Sequence, residues 1–173
     1  MAANKKRLYI ALYPSGGSTG GEKRYHWALL IGPKSEAGAA VPGVQYHVKN
    51  HPLGGWAYEE KRVADVRAGT TLLARVVVAK LADEPRLVAL LRAQPVVNGD
   101  PGWRCRTWVG RALAAVAADG ACVGAAQLDW GVVEAFARRY VARKAAAGRY
   151  AEGEDMSKPK PTYDLLRGKE IVP

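Results

Sequence analysis

At 173 residues the chain has the size of one ordinary domain, and its 49% hydrophobic content excludes wholesale disorder. Its formal charge of +10, from 26 Lys+Arg against 16 Asp+Glu, favours an anionic partner such as nucleic acid, but the basic residues are dispersed rather than gathered into one block. Two cysteines, Cys105 and Cys122, exclude a disulfide framework and a paired-cysteine metal site.

In chain order, residues 7–13 (RLYIALY) read as a first strand, followed by a flexible Gly/Ser loop, PSGGSTGGEK. Only six apolar residues precede Pro14 in that opening segment, too few for a signal-peptide core, and no apolar run is long enough to span a bilayer. The expectation is therefore a soluble, cytoplasmic protein without a transmembrane segment, its thiols kept reduced. Residues 25–32 read as a second strand and GPKSEAGAAVPG as a second long loop. In 44–50, Val44, Tyr46 and Val48 alternate with Gln45, His47 and Lys49, the period of a half-buried strand. Residues 56–63 suggest a short fourth strand. Residues 71–81, with three consecutive valines, suggest a fifth.

The second half is helical. Asp83 can cap a short helix that accepts Pro85 in its first turn and stops by Pro95. A second helix is predicted over 102–118, stopped by Gly120. On it Cys105, Trp108, Val109, Ala112, Leu113 and Val116 form one apolar stripe. A third, amphipathic helix turns Val132, Val133, Phe136 and Tyr140 to one face. From Tyr150 the chain is polar and rich in Pro and Lys, and residues 150–173 read as a mobile tail behind a single domain over 1–149. Strands first and helices second give an α+β class, an antiparallel sheet of about five strands packed against helices.

Three residues stand out chemically. Cys105 falls in the first turns of a helix, where the macrodipole and the flanking Arg104 and Arg106 favour thiolate. A thiol nucleophile needs a base and a group to orient that base. His26 opens the second strand and His47 lies within the third; on adjacent strands both can project from one sheet face toward the helix that bears Cys105. Single histidines and cysteines are more often plain structural groups, and Cys122, between helices, is read as such. Trp27 and Trp108 read as core aromatics. Trp56 and Trp103, at segment ends, and Arg104 and Arg106 are the expected substrate contacts, with Tyr25 a possible second oxyanion donor.

The segments HWALLIG, YHV and RCRTWVGRAL, in that order, resemble the permuted papain-like thiol enzymes, the lecithin:retinol acyltransferase, HRAS-like suppressor and NlpC-type group. The pattern YHWALL.GPK…YHVKN is also similar to one found in small fungal proteins. The first resemblance implies a permuted papain-like fold with His26 as base, His47 as third residue and Cys105 as nucleophile. It implies a hydrolase or acyl/amide transferase acting on an ester, thioester or amide of a small molecule or peptide, with no cofactor and no metal. In the group, Asn usually precedes the cysteine; here Arg104 does, and the hydrophobic anchor of the animal acyltransferases is missing. Two other functions stay open: a catalytically silent binding module offering its basic surface to RNA or an acidic partner, and a peptidase or isopeptidase.

Overall fold

The computed structural model describes residues 5–19 and 21–173. The elements run β1 (Arg7–Thr19), β2 (Glu22–Gly32), β3 (Gly43–His51), β4 (Gly55–Val63), β5 (Ala74–Leu81), α1 (Glu84–Arg92), α2 (Cys105–Asp119), β6 (Val123–Ala126), α3 (Trp130–Ala146), β7 (Thr162–Asp164) and β8 (Lys169–Val172). One sheet takes the order β4-β3-β2-β1-β5-β7-β8, with β6 also paired to β5. The α+β class therefore holds, but the sheet has eight described strands rather than about five. The extra three are short pieces after the first helix, below the length at which alternation is readable.

The segment expected as a flexible Gly/Ser loop is mostly strand. β1 and β2 continue as an antiparallel ribbon past Pro14, with a register shift between Pro14 and Ser18. Gly16 and Gly17 adopt φ of 60° and 73°, which glycine accepts without steric cost.

The sheet has two unequal faces. The larger core lies between the sheet and the three helices: Leu8, Ile10, Trp27, Leu29, Tyr46 and Val76 meet the helical residues there. All six predicted stripe residues of α2 are buried in it. Asp83 caps α1 by accepting from the Arg86 N–H, and Gly120 closes α2 at φ 69°, both as the sequence suggests. On α3 the buried face is Val133, Ala137, Tyr140 and Val141; Val132 is 48% exposed, contrary to expectation. The opposite sheet face carries Tyr9, Ala11, Leu30, Leu72 and Val77.

That second face corrects the reading of the C-terminal residues as a mobile tail. Lys160, Thr162 and Asp164 are buried, and β7 pairs in parallel with β5. The Lys160 ammonium donates to the carbonyls of Gly69 (2.8 Å) and Leu72 (2.6 Å). Arg75, fully buried, forks onto Glu36 at 2.6 and 2.9 Å, donates to Thr162 at 3.1 Å and lies 4.6 Å over the Tyr9 ring. Composition alone conceals this, because Lys160 and Arg75 are satisfied by partners far away in sequence.

At the first residue of β3, packing leaves no room for a side chain. A Cβ on Gly43 would lie 2.3 Å from Val66 and 2.4 Å from the Ile31 carbonyl oxygen. Gly43→Ala is expected to cost about 2–3 kcal/mol by overpacking, measured by urea denaturation; an unchanged midpoint would contradict this packing.

Candidate functional site

β2 and β3 set the site. Their register is Leu29↔Tyr46, Leu30↔Gln45 and Ile31↔Val44, and pairing stops there. Toward the start of β2 the two strands separate. Along β2 the odd residues Tyr25, Trp27, Leu29 and Ile31 join the core under the helices, so His26 takes the other face. There it lies opposite Tyr13 of β1, ring centroids 5.9 Å apart. On β3, Tyr46 and Val48 face the helices and His47 shares the face of His26.

The two imidazoles meet. His26 Nε2 is 2.7 Å from His47 Nδ1, and His47 Nε2 is 2.9 Å from Glu59 Oε2. Glu59 stands directly across from His47 in the β3–β4 register. Desolvation opposes it, but the hydrogen bond from His47 and the charges of Lys49 and Lys61 hold the Glu59 carboxyl below its usual range, so it is an acceptor. His47 must then donate from Nε2 and accept at Nδ1, and His26 must donate from Nε2. The chain of bonds leaves the Nδ1 lone pair of His26 open, the tautomer of a base.

Burial, then the neighbouring His47 and Lys49, push the His26 pKa down to about 4, against a smaller opposing pull from Glu59. Burial also lowers His47, against its bond to Glu59. Both rings are neutral at pH 7. Below the ordinary value of 6.5 the unfolded chain takes up protons that the folded chain refuses. Stability is therefore full above pH 6.5 and is lost as pH falls toward 4, by about 2–3 kcal/mol for this group. The melting temperature should fall over that window and fall less in His26→Asn; a flat profile in both would contradict the buried pair.

Cys105 approaches the same stretch of β2 from the helix side. Its Sγ is 3.8 Å from the Tyr25 carbonyl oxygen, and the Trp27 N–H also points at it. The thiol thus fills the edge of β2 that β3 has vacated, against the main chain on both sides of His26. Two expectations are corrected here. The imidazoles share a face, but it is the face turned away from α2, and no hydrogen bond joins them to Cys105 among the described residues. The thiol pKa is raised, not lowered: burial outweighs the N–H groups of Trp27, Arg106 and Cys105 and the charge of Arg104. The resting pair is a neutral thiol and a neutral imidazole.

A cleft of about 290 Å³ opens over Cys105. Tyr25, Trp56, Arg104 and Arg106, four of the candidate site residues, line it. Trp103 does not: it is 2% exposed and lies beneath Trp56, ring centroids 5.6 Å apart. The Tyr25 ring is buried and packs edge-on against Trp27, and it is the Tyr25 main chain that meets the thiol. Trp27 and Trp108 are core residues, as read from the sequence. Cys122 is structural: it is buried, its thiol is pushed up to about 11 by burial and by Asp119, and its N–H donates to Asp119.

Sequence reasoning missed Glu59 and Arg138. The first was within reach, since a hairpin turning about Leu53 sets His47 opposite Glu59. Arg138 carried no local signal; it arrives from α3 and lies 5.8 Å over Tyr25 and 5.3 Å over Trp27. No cluster of groups suited to a metal ion occurs among the described residues, nor a helix long and apolar enough to cross a membrane.

Residues 5–172 match DUF6914, a family of unknown function. The chain belongs to that family. The matched span takes in β7 and β8, so the buried C-terminal segment is part of the family unit. The chain matches no curated protein and no solved structure.

Proposed function

We propose that this DUF6914 protein is a thiol-dependent hydrolase or acyl/amide transferase of the permuted papain-like kind, acting on an ester, thioester or amide. One observation carries the reading: the Cys105 thiol is lodged against the main chain flanking His26, while the His26–His47–Glu59 chain leaves Nδ1 of His26 open as a base. The order His, His, Cys is the permuted one.

In the first half-reaction Cys105 Sγ attacks the acyl carbonyl and the thiol proton passes to His26 Nδ1 through a bridging water, since the two groups make no direct hydrogen bond. The bond from acyl carbon to leaving oxygen, nitrogen or sulfur breaks, and His26 returns the proton to that atom. Water or an acceptor alcohol or amine then attacks the thioester; His26 takes its proton and passes it to the departing Cys105 thiolate. His47, held by Glu59, keeps the His26 tautomer and shares the transient charge. The N–H groups of Cys105, Arg106 and Trp27, gathered at the sulfur, are suited to the developing oxyanion. A peptidase or isopeptidase would use the same steps on a peptide bond.

The missing thiol–imidazole hydrogen bond favours a second reading, a binding module that keeps the cleft without chemistry. An activated ester separates them. Acylation is expected on Cys105 and not Cys122 by peptide mapping, and is lost in Cys105→Ser. Equal, sluggish modification of both thiols selects the binding module.

A further inference from the structure

The cleft over Cys105 is strongly one-signed. Lys23, Arg24, Arg104, Arg106 and Arg138 line it against one carboxylate, Glu22. Two of these cations are held in place. Arg138 donates to Glu134 at 3.0 and 3.2 Å and to the Lys23 carbonyl at 2.8 Å, and Arg106 pairs with Glu134 at 3.3 Å. One carboxylate thus holds two guanidinium groups at the wall, and leaves an excess of positive charge beside the thiol. Trp56 supplies an aromatic edge, half-buried, with its main-chain N–H donating to the Asn98 side-chain oxygen at 2.8 Å. At 290 Å³ the space suits a small acyl group or a short peptide segment rather than a folded surface or a long acyl chain.

We infer that the acyl donor for Cys105 is itself anionic, bearing a carboxylate or phosphate close to the scissile carbonyl. This rests on the thiol reading above and names the substrate class for it. Fixed guanidinium groups recognise such oxygens through forked hydrogen bonds, and in a partly closed cleft their charge is screened less than on open surface. The same field would orient the substrate before attack.

The test compares two alkylating reagents of similar size, neutral iodoacetamide and anionic iodoacetate, on each cysteine of the intact protein. A free thiol prefers the neutral reagent. At Cys105 the iodoacetate-to-iodoacetamide rate ratio is expected to exceed that of free cysteine by about tenfold at low salt and to fall toward it at 1 M salt, where screening reaches about 3 Å. Arg106→Gln, at an exposed side chain, should lower the ratio without unfolding the protein. Protection of Cys105 by succinate but not by phenyl phosphate assigns the anion as carboxylate; the reverse assigns it as phosphate. A Cys105 faster than Cys122 with both reagents, but with the ratio of a free thiol, overturns the anionic substrate and leaves the thiol reading standing. A Cys105 no faster than Cys122 with either reagent overturns the thiol reading itself, and this inference with it.

Discussion

His26→Ala is expected to slow alkylation of Cys105 near neutral pH by about a hundredfold, the lower end of what a positioned base contributes. The size of the effect follows from the thiol. Burial raises its pKa, so an unassisted Cys105 is almost wholly protonated at pH 7 and must wait for rare ionisation. In the proposed mechanism His26, neutral at that pH and with Nδ1 open, is the missing acceptor. Glu59→Leu should act in the same direction but less strongly. It frees His47 to adopt either tautomer, and the fraction with the Nδ1 proton turns His26 Nε2 into an acceptor, closing the Nδ1 lone pair. Glu59→Gln, whose amide oxygen can still accept from His47, should recover most of the loss. A plain structural role for Glu59 would make both variants alike. The readout is the rate of Cys105 modification, with far-UV circular dichroism confirming that the fold persists. No slowing in His26→Ala would remove His26 from the chemistry.

The second large effect concerns the segment after Lys158. Truncation there removes β7 from its pairing with β5 and opens the sheet face around Tyr9 and Val77. Arg75 loses its Thr162 partner, and Tyr163 leaves an aromatic cluster with Phe136 (4.6 Å) and Tyr140 (5.8 Å). Tyr140 also loses the Glu170 carboxylate that its hydroxyl contacts. The expected cost is about 4 kcal/mol or more, a large share of the stability of a domain this size. Calorimetry should show a melting temperature lower by about 10 °C or more. A truncated chain that melts with the full one would restore the mobile-tail reading.

Much of this architecture was legible because it follows local periodicity. The 3.6-residue spacing of α2 named all six of its buried residues, with Cys105 among them. The alternation of β3 correctly put His47 opposite to Tyr46 and Val48. What was not read is which face of the sheet the helices cover. A signal was there: the odd positions of β2 hold Tyr25, Trp27, Leu29 and Ile31, far bulkier than His26, Ala28, Leu30 and Gly32, and the bulkier set meets the helices. Weighing the two sets would have turned the imidazoles away from α2. The thiol's raised pKa was hidden for a different reason. Helix position and flanking arginines are local, whereas the burial that overrides them comes from β2 and from the stripe itself. Lys160 is the same case, since only the fold brings it the carbonyls of Gly69 and Leu72.

The most direct test of the thiol–imidazole site is the pH dependence of Cys105 alkylation in the wild-type protein. In the proposed mechanism His26 lets the protonated thiol react, so the rate should rise by much less than tenfold per pH unit from about pH 5 to 8 and should fall in acid as His26 is protonated. A rate that climbs tenfold with each pH unit through that range, as an isolated buried thiol requires, would contradict the account.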